Sequence, residues 1–473
     1  MTNSINSRER IADILTEILE KGAYSHVILR QALDKYQFLD KTERAFITRT
    51  TDGTLEYLLS IDAILNRYAK TKVEKMKPFI RTVLRMSVYQ ILFMDRVPDS
   101  AVCNEAVKLA VKRKFVGLKG FVNGVLRSVS REKEQLLDEL DPQNLQKMDL
   151  PDRKNPSVFS AFLSEVSLVS SLPPWLLCLW IKELGWEETK KTILAFFKEN
   201  QVSVRCNQSI ASMEEIENSL RRQNVSWKKS PYSSKVLQLS HYDYLEGLEA
   251  FSRGWLQVQD VSSVLAGEAT DPQSGDYILD VCAAPGGKSL HMADRLSGTG
   301  MVEARDLTPQ KIERIEENIR RTGLKNIRAV CQDARILTPK SVEKADIVLA
   351  DLPCSGLGII GKKPDIKLKI NEEALKELAV LQREILSVIW QYVRPGGTLI
   401  YSTCTIHQGE NQENVRWFLA NYPFIAVDIT DRFVPELREP SMKEGWVQFL
   451  PGKHGCDGFF VAVFQRKAKE NDE

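Results

Sequence analysis

The chain has 473 residues, 43% of them hydrophobic, and a formal net charge of +2. This composition excludes an intrinsically disordered chain, and the length predicts about three domains, each large enough to bury a core. Because it has neither a signal peptide nor an apolar run long enough to cross a bilayer, we expect a cytoplasmic protein that is not embedded in a membrane.

Residues 1–140 have the pattern of an all-helical domain. Arg10–Leu19 places apolar residues at helical spacing, and Lys21 and Gly22 supply a stop signal. Similar amphipathic runs follow at Ala45–Ile64, Lys77–Phe93, Ala101–Val111 and Phe121–Val129. We therefore expect five or more helices packed around one core.

Positive charge is concentrated in this helical region. Residues 1–130 contain 22 Lys and Arg against 14 Asp and Glu, a net charge of +8, so the remaining residues carry −6. Two clusters are Lys70, Lys72, Lys75 and Lys77, and Lys112, Arg113, Lys114 and Lys119. Either cluster could be a solvated helix face, but the excess over the whole region favours contacts with RNA phosphates.

The middle of the chain contains two segments of different composition. Residues 141–171 lose helical periodicity and include Pro142, Pro151 and Pro156, which predicts a linker. Residues 172–255 mix helix-like and strand-like runs, which predicts a small α+β domain.

Residues 256–467 alternate strands and helices, the pattern of an α/β doubly wound sheet. The strand Tyr277–Val281 runs into a glycine-rich turn, residues 282–288. A phosphate-binding P-loop requires a glycine where Cys282 stands, and a dinucleotide fingerprint requires three glycines where only Gly286 and Gly287 are present. A nucleoside ligand beside the turn is the interpretation that remains.

Acidic residues end or follow four strands of this region: Asp280, Asp306, Asp333 and Asp351. The carboxyl ends of parallel strands face the ligand crevice of an open α/β sheet. A single aspartate at such a place is as often a helix N-cap as a ligand contact, but four of them favour a site. Asp306 is placed to accept hydrogen bonds from ribose hydroxyl groups.

Two cysteines lie in short motifs of the same region, Cys354 in Asp351–Gly356 and Cys404 in Ser402–Thr405. A thiolate is a soft nucleophile, although a free cysteine is more often a small buried hydrophobe. None of the eight cysteines forms a C-x-x-C pair, so we expect no metal site.

Residues 257–467 resemble the S-adenosylmethionine-dependent RNA 5-methylcytosine methyltransferases of the Sun/RsmB group, motif by motif and in the same order. The resemblance implies a class I, Rossmann-like methyltransferase domain and S-adenosylmethionine as the cofactor. It implies that the cofactor is bound by Cys282, Ala283, Ala284, Pro285, Gly286, Gly287, Lys288, Asp306, Asp333 and Asp351.

The resemblance also implies the catalytic roles. Cys404 attacks carbon 6 of the cytosine, Cys354 releases the product, and Asp351 contacts ring nitrogen 3. The DNA 5-methylcytosine enzymes carry their nucleophile at the position of Cys354, so the exchanged assignment stays open. The Thr-Cys motif at Cys404, which distinguishes the RNA enzymes, favours Cys404.

The rest of the chain resembles the same family. Residues 1–140 resemble its NusB-like RNA-binding domain, and residues 172–255 resemble its small ferredoxin-like or RRM-like domain. Residues 361–368 resemble a basic motif of the family with Leu368 in place of its tryptophan, and we expect an RNA-side lid there. Residues 468–473 are expected to form a disordered tail.

These resemblances imply a monomeric 16S rRNA cytosine-5 methyltransferase with RNA as its partner. Methylation of a tRNA or of 23S rRNA is a second possibility, because those enzymes share the catalytic core. A non-catalytic RNA-binding or antitermination factor is a third, and a DNA methyltransferase is disfavoured because no target-recognition insertion follows Cys354.

Overall fold

The structure is a computed structural model that describes residues 6–36, 38–198 and 201–468. Its residues group into two units, one of residues 1–197 and 360–369 and the other of residues 198–359 and 370–473. Of the expected tail, only Ala468 lies within the described residues. No single helix in these ranges is long and apolar enough to cross a membrane. The helices Pro156–Ser170 and Pro174–Leu184 are long and apolar enough only when they are taken together, and the chain bends by 103° between them.

The first unit is helical, as the sequence predicts. Its α1 ends at Lys21, and Gly22 follows in the left-handed conformation with φ 74°. The central helix α5 packs against α1, α3, α4, α6 and α7. The helices are α1 Ser7–Lys21, α2 Ser25–Lys35, α3 Lys41–Glu56, α4 Leu58–Tyr68, α5 Pro78–Phe93, α6 Asp99–Lys112, α7 Lys119–Arg131, α8 Lys133–Leu140, α9 Pro156–Ser170, α10 Pro174–Leu184 and α11 Trp186–Phe196.

The linker predicted over residues 141–171 is helical over about half of its length, because α9 occupies residues 156–170. Phe162, Val166 and Val169 are buried on one face of this helix. Pro156 lies in the first turn of α9, where a proline is tolerated, and serines dilute the apolar pattern that would have revealed the helix. The boundary expected at residue 172 also differs, since α10 and α11 group with the first unit.

The second unit begins with a small antiparallel sheet in the order β2-β3-β1-β4. The fully buried Arg205 on β1 donates to Asp294 at 3.2 Å and to Gln259 at 3.1 Å, which attaches this sheet to the helix that carries Asp294. The elements are β1 Val202–Cys206, α12 Met213–Arg222, β2 Ser226–Lys229, β3 Val236–Ser240, α13 Glu249–Ser252 and β4 Leu256–Val258.

The larger sheet of this unit has the strand order β10-β12-β9-β8-β5-β6-β7, and β11 pairs with β12. Strands β5 to β9 are parallel, whereas β12 is antiparallel to β9. The elements are α14 Val261–Glu268, β5 Tyr277–Asp280, α15 Gly287–Arg295, β6 Met301–Asp306, α16 Pro309–Thr322, β7 Ile327–Cys331, β8 Ala345–Asp351, α17 Ile366–Lys369, α18 Glu372–Ile389, β9 Val393–Thr403, α19 Gln412–Asn421, β10 Phe424–Ala426, β11 Trp446–Phe449 and β12 Phe459–Arg466.

The strand order reverses between β5 and β8, and ligands of doubly wound sheets bind at such a reversal, outside the carboxyl ends of the strands. The fold class is therefore confirmed: an all-helical domain, a small α+β sheet and a Rossmann-like α/β domain. The reversal also determines where a site should be sought.

Candidate active site

The glycine-rich turn lies between the end of β5 and the start of α15, next to the reversal. Gly286 has φ 102°, a conformation that residues with a side chain rarely adopt. No side chain caps the first turn of α15, which starts at Gly287. Its backbone N–H groups are therefore available to an anionic group such as the carboxylate of a methionine moiety.

Asp306, at the end of β6, holds this turn in place. Its buried carboxylate accepts hydrogen bonds from the Ala284 N–H at 2.9 Å, the Leu307 N–H at 2.7 Å and the Lys311 Nζ at 2.8 Å. A carboxylate has about four acceptor positions, so one remains for a ligand hydroxyl group. Asp306 is thus both a support of the turn and a possible ribose contact.

Asp333 lies beyond the end of β7, where it forms an ion pair with Arg335. Its carboxylate accepts from the Arg335 backbone N–H at 2.9 Å and from the Arg335 Nη2 at 2.8 Å. These hydrogen bonds lower the pKa of Asp333. The acid is therefore ionised and oriented by Arg335, and no described contact joins it to the other acids.

Asp280, at the end of β5, is a buried carboxyl group beneath the turn. Its Oδ2 accepts from the Ser289 hydroxyl at 2.5 Å, while Oδ1 has no partner among the described residues. Burial raises the pKa of Asp280 to about 7. This group is protonated across most of the acidic range and loses its proton near neutral pH.

We expect Asp280→Asn to change how the stability of the protein depends on pH. The pKa is about 7 in the folded chain against an ordinary value of 3.8, so the acid stabilises the fold below pH 4, and that contribution is lost as pH rises towards 7. Between these two pKa values, the free energy of unfolding of wild type should therefore fall relative to that of the variant, by up to about 1.4 kcal/mol per pH unit.

Urea unfolding of both proteins at several pH values measures this difference. Asp431→Asn, at a side chain that is 94% exposed, is the matched control and should follow wild type. A constant difference between Asp280→Asn and wild type over the whole range would contradict a titrating Asp280.

Asp351, the last residue of β8, forms an ion pair with a residue of the turn. The Lys288 Nζ donates to its Oδ2 at 2.7 Å, and the Ser402 hydroxyl donates to its Oδ1 at 2.8 Å. Lys288 also lies over the Phe459 ring, 4.9 Å from its centroid. The structure thus joins the glycine-rich turn to the first cysteine motif.

The two motif cysteines face each other at the ends of adjacent parallel strands. Asp351 of β8 is paired in register with Ser402 of β9, so Cys354 and Cys404 follow their strands at matching depth. Their Sγ atoms are 3.3 Å apart. This separation is much longer than the ~2.05 Å of a disulfide, and both cysteines are free thiols.

The environments of the two thiols differ. The hydrogen bond to Cys404, burial and the nearby negative charge of Glu410 all raise the pKa of Cys354. The Cys354 thiol therefore keeps its proton at neutral pH.

A buried network behind the cysteines was not anticipated from the sequence. Glu410, fully buried, accepts from the Ser355 backbone N–H at 2.9 Å, from the Ser355 hydroxyl at 2.5 Å and from Gln382 at 2.9 Å. Burial raises the pKa of Glu410. Residues 407–411 form a polar run before α19 that looks like an exposed helix start. The one sequence signal for this network was a carboxylate, Glu410, only six residues after Cys404.

The expected RNA-side lid over residues 361–368 is wrong in its central part. Residues 360–369 group with the helical unit. Asp365 and Lys367 are 2% and 5% exposed. A lysine buried to this degree cannot meet a phosphate, so the basic character of the sequence motif does not mark an RNA contact at Lys367.

The two basic clusters of the helical unit also differ. Lys112 pairs with Glu9 at 2.7 Å, and Arg113 pairs with Asp13 at 2.5 Å, so that cluster is partly neutralised by α1. The other cluster surrounds a short turn of 3₁₀ helix, Val73–Lys75, and its side chains are exposed: Lys70, Lys72, Lys75 and Lys77. This second cluster is the better candidate for phosphate contacts.

Family comparisons match both halves of the chain. Residues 268–465 match a model described as 16S rRNA methyltransferase RsmB/F, and residues 5–131 match the NusB family. The first match contains the glycine-rich turn, the strand-end acids and both cysteine motifs.

Similar proteins cover almost the whole length. A probable ribosomal RNA small subunit methyltransferase B from Bacillus subtilis is 32% identical and covers 97% of this chain and 98% of its own. A ribosomal RNA small subunit methyltransferase B from Cronobacter sakazakii is 30% identical over 99% of this chain and 100% of its own.

Among solved structures, one called PH0851 has a TM-score of 0.77 at 26% identity and covers 98% of this chain and 99% of its own. NSun6 from Pyrococcus horikoshii has a TM-score of 0.57 at 23% identity, covers 64% of this chain and 100% of its own, and shows the fold alone. The identity to the B-type relatives over nearly the full length of both chains settles the membership. The chain belongs to the ribosomal RNA small subunit methyltransferase B family, S-adenosylmethionine-dependent enzymes that methylate small-subunit ribosomal RNA.

Proposed function

We propose that this enzyme methylates carbon 5 of a cytosine in 16S rRNA through a covalent bond between Cys404 and carbon 6 of that cytosine. The observation that carries the proposal is the pair of free thiols, 3.3 Å apart, at the ends of β8 and β9. The Lys288 and Asp351 ion pair adjoins them and links them to the cofactor turn.

Carbon 5 of cytosine is too electron-poor to take up a methyl group unaided. The Cys404 thiolate adds to carbon 6, the 5,6 double bond opens, and carbon 5 gains the character of an enamine carbon. Ring nitrogen 3 takes up a proton as negative charge develops there, and the Asp351 carboxyl group, when protonated, donates it. When bound, S-adenosylmethionine supplies an electrophilic methyl group.

Release reverses the addition. A base takes the proton from carbon 5, the electron pair of that C–H bond re-forms the 5,6 double bond, and the bond from carbon 6 to Cys404 breaks with the electrons returning to sulfur. Cys354 is within proton-transfer distance of Cys404, which supports its assignment to this step.

The choice of Cys404 as the nucleophile is supported by the environment of Cys354. The hydrogen bond to Cys404 and burial raise the pKa of Cys354, so Cys354 is the poorer candidate for a reactive thiolate. The backbone N–H of Ser355 is held by Glu410, which orients the loop that follows Cys354.

The residues of the turn fit the cofactor by the chemistry of their donors and acceptors. The uncapped start of α15, with the turn residues 282–288, suits the methionine carboxylate, and the free acceptor position of Asp306 suits the ribose. We assign Asp333 to a contact with the adenine of S-adenosylmethionine, and Asp351 to a contact near its methyl-bearing sulfur. The exposed lysines around Val73–Lys75, on the NusB-like domain, are assigned to RNA phosphates.

Incubation with S-adenosylmethionine and 16S rRNA, followed by digestion to nucleosides and mass spectrometry, tests the proposal. We expect 5-methylcytidine as the only new nucleoside, and bisulfite sequencing should locate it at a defined position. Parallel reactions with tRNA and 23S rRNA serve as controls for substrate choice.

Another methylated nucleoside would contradict the chemistry proposed for the two cysteines. Methylation of tRNA or 23S rRNA in preference to 16S rRNA would instead preserve the chemistry and contradict the substrate. The absence of transfer to any RNA would favour a role in RNA binding alone.

A further inference from the structure

Cys354 is flanked on both sides by residues that are bound to one carboxylate. Glu410 accepts from the backbone N–H and from the hydroxyl group of Ser355, the residue after Cys354. The Gln382 Nε2 donates to Glu410 at 2.9 Å and also, at 2.9 Å, to the carbonyl of Pro353, the residue before Cys354. Glu410 therefore holds the backbone around Cys354 from both sides, directly at Ser355 and through Gln382 at Pro353.

The same carboxylate is connected to the second cysteine through two hydroxyl groups. The Ser355 Oγ and the Thr405 Oγ1 are 2.7 Å apart, and Thr405 directly follows Cys404. Because Ser355 donates its only hydroxyl proton to Glu410, it accepts from Thr405. Two consecutive hydrogen bonds thus run from Thr405 through Ser355 to Glu410, and they join the residue after one cysteine to the residue after the other.

Burial of these polar groups is costly, which favours a role for them beyond packing. Glu410 and Thr405 are fully buried, and Ser355 is 6% exposed. Burial raises the pKa of Glu410, because it disfavours the charged form of the acid. Well-packed apolar side chains often stabilise such a place at least as well as a buried charge, so stability alone does not account for a carboxylate here.

Release of the product depends on the contact between the two cysteines. In the proposed reaction, the bond from carbon 6 to Cys404 breaks with its electron pair returning to sulfur, and the Cys354 thiol, 3.3 Å away, donates a hydrogen bond to that sulfur. Cys404 has other supports: the Gly358 N–H donates to its carbonyl at 3.1 Å, and it follows β9, which is paired with β8 and β12. Loss of the Glu410 contacts should therefore displace Cys354 more than Cys404.

We propose that Glu410 is a positioning residue for release of the methylated product, which keeps Cys354 against Cys404 through Ser355 and Thr405. The inference rests on the proposed function of the two cysteines. Attack by Cys404 and methyl transfer do not require the hydrogen bond from Cys354, so these steps should persist without the Glu410 contacts, whereas release should slow. A displacement of about 1 Å at a reacting group costs as much as 10²-fold in rate, and a partial displacement of Cys354 should cost about tenfold.

Single-turnover reactions of the full-length enzyme with radiolabelled S-adenosylmethionine and 16S rRNA test the inference in Glu410→Gln, Thr405→Val and Thr405→Ser. Total label in RNA gives the rate of methyl transfer, and label in a protein–RNA complex that survives a denaturing gel gives the rate at which the covalent adduct decays. We expect the adduct to decay about tenfold more slowly in Glu410→Gln and Thr405→Val, while methyl transfer changes by less than about twofold. Thr405→Ser keeps the hydroxyl group, so its adduct should decay at about the wild-type rate.

Glu413→Gln, at an exposed glutamate in the first turn of α19, is the matched control and should behave as wild type. Thr405→Val preserves the shape of the buried side chain, so it keeps the test decisive even if Glu410→Gln unfolds. Unchanged decay of the adduct in Thr405→Val would overturn the inference. Equal slowing of methyl transfer and of decay would overturn it as well, because a general disturbance of the site slows both.

Failure of this inference is distinguishable from failure of the proposed function. An adduct that persists in Cys354→Ala but decays normally in Glu410→Gln and Thr405→Val would overturn the role of Glu410 alone. Absence of an adduct from every variant, Cys354→Ala included, would contradict the covalent chemistry of the proposed function and the inference with it.

Discussion

Cys404→Ala should lose methyl transfer to rRNA by more than about 10³-fold, because removal of the proposed covalent nucleophile leaves only binding and electrostatic catalysis. Cys354→Ala should retain the first half of the reaction and stall before release. It should therefore accumulate a covalent complex of protein and RNA, stable in denaturing gels, that carries a labelled methyl group. Radiolabelled S-adenosylmethionine and 16S rRNA provide both readouts in one experiment.

Cys178→Ala is the matched control, since Cys178 is an exposed cysteine of α10. It should match wild type in rate and form no stable complex. A stable complex in Cys404→Ala instead of Cys354→Ala would exchange the two roles and make the Cys354 thiol the attacking group. Equal residual activity in both variants would contradict covalent catalysis altogether.

Asp351→Asn should lower kcat by about 100-fold or more, because the carboxyl group that we propose for the contact with nitrogen 3 is preorganised by two hydrogen bonds. The substitution also leaves the buried Lys288 ammonium, whose side chain is 10% exposed, without its counter-charge. Lys288→Met should therefore lower kcat as well, through the loss of the group that orients Asp351. Single-turnover rates at saturating RNA and cofactor separate this effect from binding.

Ser402→Ala is the control for Asp351→Asn, because it removes one hydrogen bond to the carboxylate but leaves both the acid and Lys288. We expect a loss of less than about tenfold, consistent with the ~1 kcal/mol of an ordinary hydrogen bond. If Ser402→Ala and Asp351→Asn were equally impaired, the carboxylate would serve the packing of β8 and β9 and not the chemistry at nitrogen 3.

The folding pattern of the chain was largely predictable, because it depends on local rules. Helix α1, with its stop at Gly22, follows from apolar spacing and a glycine C-cap. The turn at Gly286 and Gly287 and the acids at strand ends follow from the alternation of strands and helices in a parallel sheet. Helix α9 was missed because serines weaken its periodicity and Pro156 resembles a breaker although it lies in the first turn.

By itself, the sequence determined the fold class and the order of the domains, and it predicted that the glycine-rich turn and the two motif cysteines belong to the site. Only the tertiary structure brought Cys354 within 3.3 Å of Cys404, paired Lys288 with Asp351 and buried Glu410 behind them. The tertiary structure also buries Lys367, whereas the basic residues beside it in the sequence suggested an exposed side chain. The physical reason is that periodicity and turn chemistry act over a few residues, whereas desolvation and charge pairing depend on partners that are distant in sequence and meet only in the folded chain.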